Sequence, residues 1–166
     1  MSAACGVLLV GLALPQAAKA DPFRDQEARF ASGTGYDIYL LAGIVLPLLE
    51  DEEHGGEHAL RTLDAVVVGD LITEALKNVT HERRPDDSDY KSFPSGHATA
   101  AFAVATVEAE YHPRQAALWY LGAAIIAESR VELRKHYVHD VIAGAVVGYF
   151  TAQWEMHSPR GLLIFP

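Results

Sequence analysis

The sequence is short of cysteine: Cys5 is the only one among 166 residues. An intramolecular disulfide framework and a multi-thiolate zinc site each need more than one thiol, so both are excluded. Positive charge is scarce too. Lys and Arg total 13 against 22 Asp and Glu, a formal net charge of −9. That is the wrong sign for wrapping a polyanion, so no nucleic-acid partner is expected. Long charge-free apolar runs are also missing. The runs at 38–49, 98–107, 115–127 and 141–154 are 10 to 14 residues long, and 59–77 carries Asp64, Asp70 and Glu74 at helical spacing. A bilayer span takes about 20 predominantly apolar residues, so these runs read as core helices of a soluble bundle. Internal repeats and low-complexity tracts are absent as well.

What is present points to a globular helical chain. Half of the residues are apolar and 21% are charged, and mean hydropathy is +0.08, a composition that excludes disordered and fibrous classes. Ala, Leu and Gly dominate the apolar runs, which favours closely packed helices over strands. The expected fold is all-α, a compact bundle of about five to six helices forming a single domain over 21–166. Trp119, Tyr120, Tyr149, Phe150 and Trp154 stand at helical spacings and are expected to fill the core. Before that domain, the apolar stretch 4–14 leads to Ala18-Lys19-Ala20, a small-x-small cleavage site, so 1–20 reads as a secretory signal peptide. No Lys or Arg precedes the stretch, and a buried N-terminal helix is the alternative. A periplasmic or secreted location follows from the signal peptide, with membrane association as the alternative.

Three clusters carry chemistry. Lys77 and Arg84-Pro85 are seven residues apart, about two helical turns, so both cations can share a face near a helix end; the plainer reading is two cations complementing the helix dipole. Pro94-Ser95-Gly96-His97 runs directly into an apolar stretch. Ser95 is the expected N-cap, and the free N–H groups of a helix start suit an oxyanion. Gly96 lets a ligand approach the backbone. Ser129-Arg130-x5-His136-x3-Asp140 puts a histidine and a carboxylate four apart, where they can hydrogen-bond on one helical face. A carboxylate on one imidazole nitrogen fixes the tautomer and leaves the other as base or nucleophile, although a surface ion pair has the same spacing.

In order, spacing and identity the three clusters resemble the signature of the type-2 phosphatidic acid phosphatase superfamily, which also includes bacterial acid phosphatases and vanadium-dependent haloperoxidases. The resemblance covers Lys77 to Asp140. It implies a metal-independent phosphatase acting on phosphomonoesters through a phosphohistidine. His136 would be the nucleophile, Asp140 its orienting partner, and His97 the general acid and base. Lys77, Arg84, Arg130, Ser95 and Gly96 would hold the phosphate oxygens. It implies no metal and no cofactor, because three cations neutralise the transferring group. The partner would be a phosphorylated small molecule or a lipid head group, with possible peripheral membrane contact. A vanadate-dependent haloperoxidase, or a non-catalytic anion or lipid-phosphate binder, are the alternatives.

The chain departs from the family's usual pattern twice. Arg134 stands where a glycine is usual, and Val138 follows Tyr137 where a proline is usual. Two further histidine patterns compete for attention. His54-Gly55-Gly56-Glu57-His58 has the order of an inverted zinc-protease motif, but its paired glycines oppose the helix it needs, so an exposed acidic loop is expected there. His139 adjoins Asp140, and its spacing predicts that it faces away from that carboxylate.

Overall fold

The structure, a computed structural model, describes residues 22–51 and 53–163. The expected signal peptide lies outside the described residues. Six helices are found among them: α1 (Pro22–Ser32), α2 (Thr34–Glu50), α3 (Gly55–Thr80), α4 (Gly96–Tyr111), α5 (Ala116–Glu132) and α6 (Val138–His157). The five longer helices correspond to the five apolar stretches. The highly charged α1 had no such signal, and it is held to α5 by Arg24, which pairs with Glu128 and Glu132.

Small residues decide the packing. Helix α4 is the central element, with Ala98, Ala100, Ala101, Ala103, Val104, Ala105 and Val107 all buried. Helix α6 runs alongside α4 at close range because Gly144 and Gly148 leave room for its backbone. A Cβ on Gly148 would come within 2.2 Å of the Thr99 carbonyl oxygen, and one on Gly144 within 2.4 Å of the Ser95 carbonyl oxygen. The Ser95 N–H donates to the Asp140 carbonyl at 3.0 Å, so α4 and α6 start side by side. Consequently one end of the bundle gathers the ends of α1, α3 and α5 and the starts of α2, α4 and α6. All three motifs are at that end.

The apolar runs do not lie where a soluble bundle would put them. Their large side chains face outward: Ile38, Leu41, Val45, Leu48 and Leu49 on α2, Leu118, Leu121 and Ile125 on α5, and Ile142, Val146 and Phe150 on α6 are exposed. Trp119 is buried and Tyr120 packs against the core as expected. Tyr149, Phe150 and Trp154 do not fill the core; Phe150 is 65% and Trp154 60% exposed. The charges that shorten the runs in sequence turn inward instead, as with Asp64, Glu108 and Glu155. An inward-facing, partnered charge does not interrupt an outer apolar face, so run length understates that face. One stretch of 28 residues, Phe23–Glu50, which runs through α1, the Gly33 turn and α2, is long and apolar enough to cross a membrane by length and composition.

Candidate active site

Each motif is carried by a helix end. Lys77 is buried in the last turn of α3, with Nζ 3.3 Å from Glu74 Oε1. The helix ends three residues later at Thr80 and is capped by His81, whose φ of 48° is left-handed. Arg84 is therefore not on the helical face it was expected to share with Lys77. It projects from the following loop, where its Nε donates to Asp89 Oδ1 at 2.7 Å and its Nη1 to the Lys135 carbonyl at 3.2 Å. Lys135 pairs with Asp86, and Arg134 Nη2 donates to the Pro85 carbonyl at 3.2 Å. These contacts fasten the Arg84 loop to the turn that carries His136.

Ser95 is the N-cap of α4, as expected, accepting from the Ala98 N–H at 3.5 Å. Gly96 opens this helix start toward Lys77: a Cβ there would lie 3.7 Å from Nζ. His97, in the first turn, stacks on Tyr36 with ring centroids 4.2 Å apart. Its Nε2 lies 3.2 Å from the Ser32 carbonyl oxygen. Arg130, near the end of α5, donates through Nη1 to Ser32 Oγ. The turn between α1 and α2 thus walls the site, and nothing in the motif pattern points to Ser32 or Tyr36.

His136 and Asp140 do meet, though not across a helical face. His136 precedes α6, and Asp140 is in its first turn, where its Oδ2 accepts the Tyr137 N–H at 2.9 Å as a cap. His136 is 2% exposed and Asp140 is fully buried. Arg84 Nη1 lies 3.4 Å from His136 Nε2. A guanidinium can only donate, so Nε2 is the unprotonated nitrogen and Nδ1 carries the hydrogen. Nδ1 is 3.4 Å from Asp140 Oδ2 without hydrogen-bond alignment. Burial, reinforced by the charges of Arg84 and Arg130 and opposed by Asp140, pushes His136 down to about 4.

Asp140 has a second partner that sequence reasoning missed. Ser92 Oγ donates to its Oδ2 at 2.5 Å. A lone serine in a loop gives no signal of this kind. His139 also departs from expectation: its Nε2 lies 3.0 Å from Asp140 Oδ1 and 2.8 Å from Glu82 Oε1. It is the exposed link between two carboxylates, and its ring does not face away from Asp140. Glu82, His139 and Asp140 could together hold a metal ion; Asp51, His58 and His112 form a second such group. Arg134 sits at a φ of 55°, the left-handed region where a glycine is least strained.

Comparison with known proteins places these features in a family. Over 74 residues the chain is 36% identical to a lipid A 1-phosphatase of Porphyromonas gingivalis, covering 42% of this chain and 17% of that protein. Over 98 residues it is 32% identical to a lipid A 1-phosphatase of Rhizobium johnstonii, covering 50% and 40% respectively. The chain therefore spans less than half the length of these curated relatives. Two crystal structures share the fold. Aquifex aeolicus LpxE superposes with a TM-score of 0.66 at 22% identity, covering 82% of this chain and 84% of that one. A transmembrane PAP2-type phosphatidylglycerolphosphate phosphatase of Bacillus subtilis gives 0.60 at 19% identity, covering 84% and 80%. The PAP2 superfamily model matches residues 59–162, more than half of the chain and the whole of the three motifs. This protein belongs to the PAP2 superfamily.

Proposed function

We propose that the protein is a lipid-phosphate phosphatase that works through a phosphohistidine on His136. The observation that carries the reading is the convergence of Lys77, Arg84 and Arg130 on the two histidines. Arg84 Nη1 lies 3.4 Å from His136 Nε2, Arg130 donates to the same Ser32 whose carbonyl faces His97, and Lys77 Nζ faces Gly96, the residue before His97. Three fixed positive charges beside an unprotonated imidazole suit a phosphate monoester whose charge grows on its non-bridging oxygens. In the first step His136 Nε2 attacks phosphorus, the bond to the leaving oxygen breaks, and His97 supplies that oxygen's proton. In the second, His97 takes a proton from water as the water oxygen replaces His136 on phosphorus, releasing inorganic phosphate. Asp140, held by Ser92 and the Tyr137 N–H, places its negative charge 3.4 Å from Nδ1, which favours the His136 proton on that nitrogen. The three cations do the neutralising that a divalent ion does elsewhere.

A lipid substrate is favoured over a soluble one. An apolar groove of about 690 Å³ lies between α1, the start of α2, and α5, lined by Phe23, Phe30, Ala31, Tyr39, Ile125 and Ile126. Ala31 adjoins Ser32 in the chain and Ile126 is one helical turn before Arg130 on α5, so the groove runs beside the phosphate pocket. The names of the relatives agree with a lipid substrate. The outward apolar faces of α2, α5 and α6 seat the bundle in a bilayer with the motif end at one water interface. Phosphate release from a lipid A or phosphatidylglycerol phosphate in mixed micelles should be inhibited by vanadate, which adopts the five-coordinate geometry of the transition state, and should survive EDTA. Turnover confined to water-soluble monoesters would refute the lipid reading. Halide oxidation with bound vanadate, or phosphate binding without turnover, would replace the phosphatase reading.

A further inference from the structure

At the end of the bundle away from the motifs, four titratable side chains meet that the proposed reaction does not use. Asp51 caps the end of α2, His58 is in the first turn of α3, and Glu108 and His112 are in and just past the last turn of α4. His58 Nδ1 lies 2.5 Å from Asp51 Oδ2, and His112 Nε2 lies 3.1 Å from Asp51 Oδ1. On its other side His58 presents Nε2 at 3.0 Å to Glu108 Oε1. His58 is fully buried, and neither Nε2 nor Glu108 Oε1 has an aligned hydrogen-bond partner. Tyr111 stacks on the His58 ring with centroids 3.8 Å apart.

We propose that this cluster is a binding site for a divalent transition-metal ion of the zinc class, held by His58 Nδ1, His112 Nε2 and the Asp51 carboxylate. The donor atoms of these three already lie within 4.8 Å of one another. Two imidazoles and a carboxylate suit a borderline ion better than calcium or magnesium, which prefer oxygen alone. Glu108 completes the pattern from behind. With Nδ1 on the metal, the Nε2–H donates to Glu108, a carboxylate fixing the tautomer of a metal-bound histidine. The ion also balances charge, since two carboxylates here meet two imidazoles that are neutral unless protonated. On binding, the proton shared by Asp51 and His58 leaves to water and the metal takes its place. The pair must open, because bonds of about 2.0–2.1 Å in a tetrahedron set donors more than 3 Å apart. A fourth ligand, water, reaches the site from the side of His112, beside a cavity of about 350 Å³ lined by Tyr111, His112, Pro113, Arg114 and Gln115. Of the zinc-protease-like pattern at residues 54–58, only His58 belongs to this cluster. The two glycines do open a helix, but His54 is its N-cap and stays out of the cluster, while His58 joins Asp51 and His112. The site would staple the α2–α3 turn to the end of α4, and the proposal does not depend on the phosphatase reading.

The test is titration of the chelator-treated full chain with Co²⁺ and then Zn²⁺. One Co²⁺ per chain should bind with the visible bands of four-coordinate cobalt, Zn²⁺ should displace it, and protons should be released. His112→Ala and Asp51→Asn should each weaken binding at least tenfold, and Glu108→Gln by about 10–100-fold. His54→Ala should bind as the parent does. His112 and Asp51 are at helix ends, and helical circular dichroism checks that each variant folds; if one does not, the other decides. No saturable uptake, or equal uptake by the parent, His112→Ala and Asp51→Asn, would overturn the proposal and leave the cluster held by a shared proton. Equal loss in His54→Ala would do so too.

Discussion

The two ends of the bundle use the same side-chain types in opposite balance. At the motif end Lys77, Arg84 and Arg130 surround His97 and His136, and the carboxylates present are committed: Asp89 to Arg84, Glu74 to Lys77, Asp140 to Ser92 and Tyr137. At the far end Asp51, Glu108, Asp64 and Glu155 are gathered around His58, His112 and Arg61, with Glu155 paired to Arg61 at 3.3 Å. On the two proposals made above, one end would receive an anion and the other a cation. The difference lies in which sign predominates around the histidines at each end. Counting charge over the chain, which gives a strongly acidic total, hides it.

The comparison breaks most completely at His136. His136→Ala removes the proposed nucleophile and should lower kcat by about 10⁴ or more, as deletion of an attacking group does in other covalent hydrolases; Asp51→Asn at the far end should leave the phosphate-release rate within a few-fold. Next in size is Arg84→Gln. It should cost about 10²–10³ in kcat/KM by removing a donor aimed at developing charge.

The same variant sharpens the electrostatic account. With His136 at about 4 in the parent, its unprotonated, reactive form persists down through pH 5, so the acid limb it imposes on kcat/KM is near 4 and not near the ordinary histidine value of about 6.5. Taking away a neighbouring positive charge favours the imidazolium and raises that pKa. The acid limb of Arg84→Gln should therefore move upward in pH. A limb that stays in place would show that Arg84 does not act on His136.

Ser92→Ala should have a smaller effect, about tenfold in kcat with little change in KM, because it acts only by letting Asp140 turn. The smallest effect is expected at position 134. Arg134→Val should unfold more easily than Arg134→Gly by about 1–2 kcal/mol, since a β-branched residue is poorly suited to a left-handed φ. Thermal denaturation of the two variants side by side measures it.

Much of the site was legible in the sequence, because helix ends made the motifs local. Ser95 caps α4, Gly96 leaves the helix start open, and Lys77, His97, Arg130, His136 and Asp140 all reach the same end. The residues that escaped act through the third dimension. Ser92 contacts Asp140 across 48 positions, and Ser32 contacts Arg130 across 98. The fold class was legible too, but not which face of each helix is buried. Ala, Gly and Thr occupy the packed faces and Leu, Ile and Phe the outer ones, and periodicity gives the stripe without saying which side meets protein. The left-handed Arg134 is a further case. A glycine would announce the turn, whereas an arginine conceals it until φ is measured.

The central claim is that the cation-rich end uses His136 as a nucleophile. Acid-labile phosphate should be trapped by rapid quenching during turnover of a substrate with a good leaving group. Peptide mass spectrometry under basic conditions should then place it on His136, with none on the His136→Ala chain. Phosphate on His139, or turnover preserved in His136→Ala, would contradict the account.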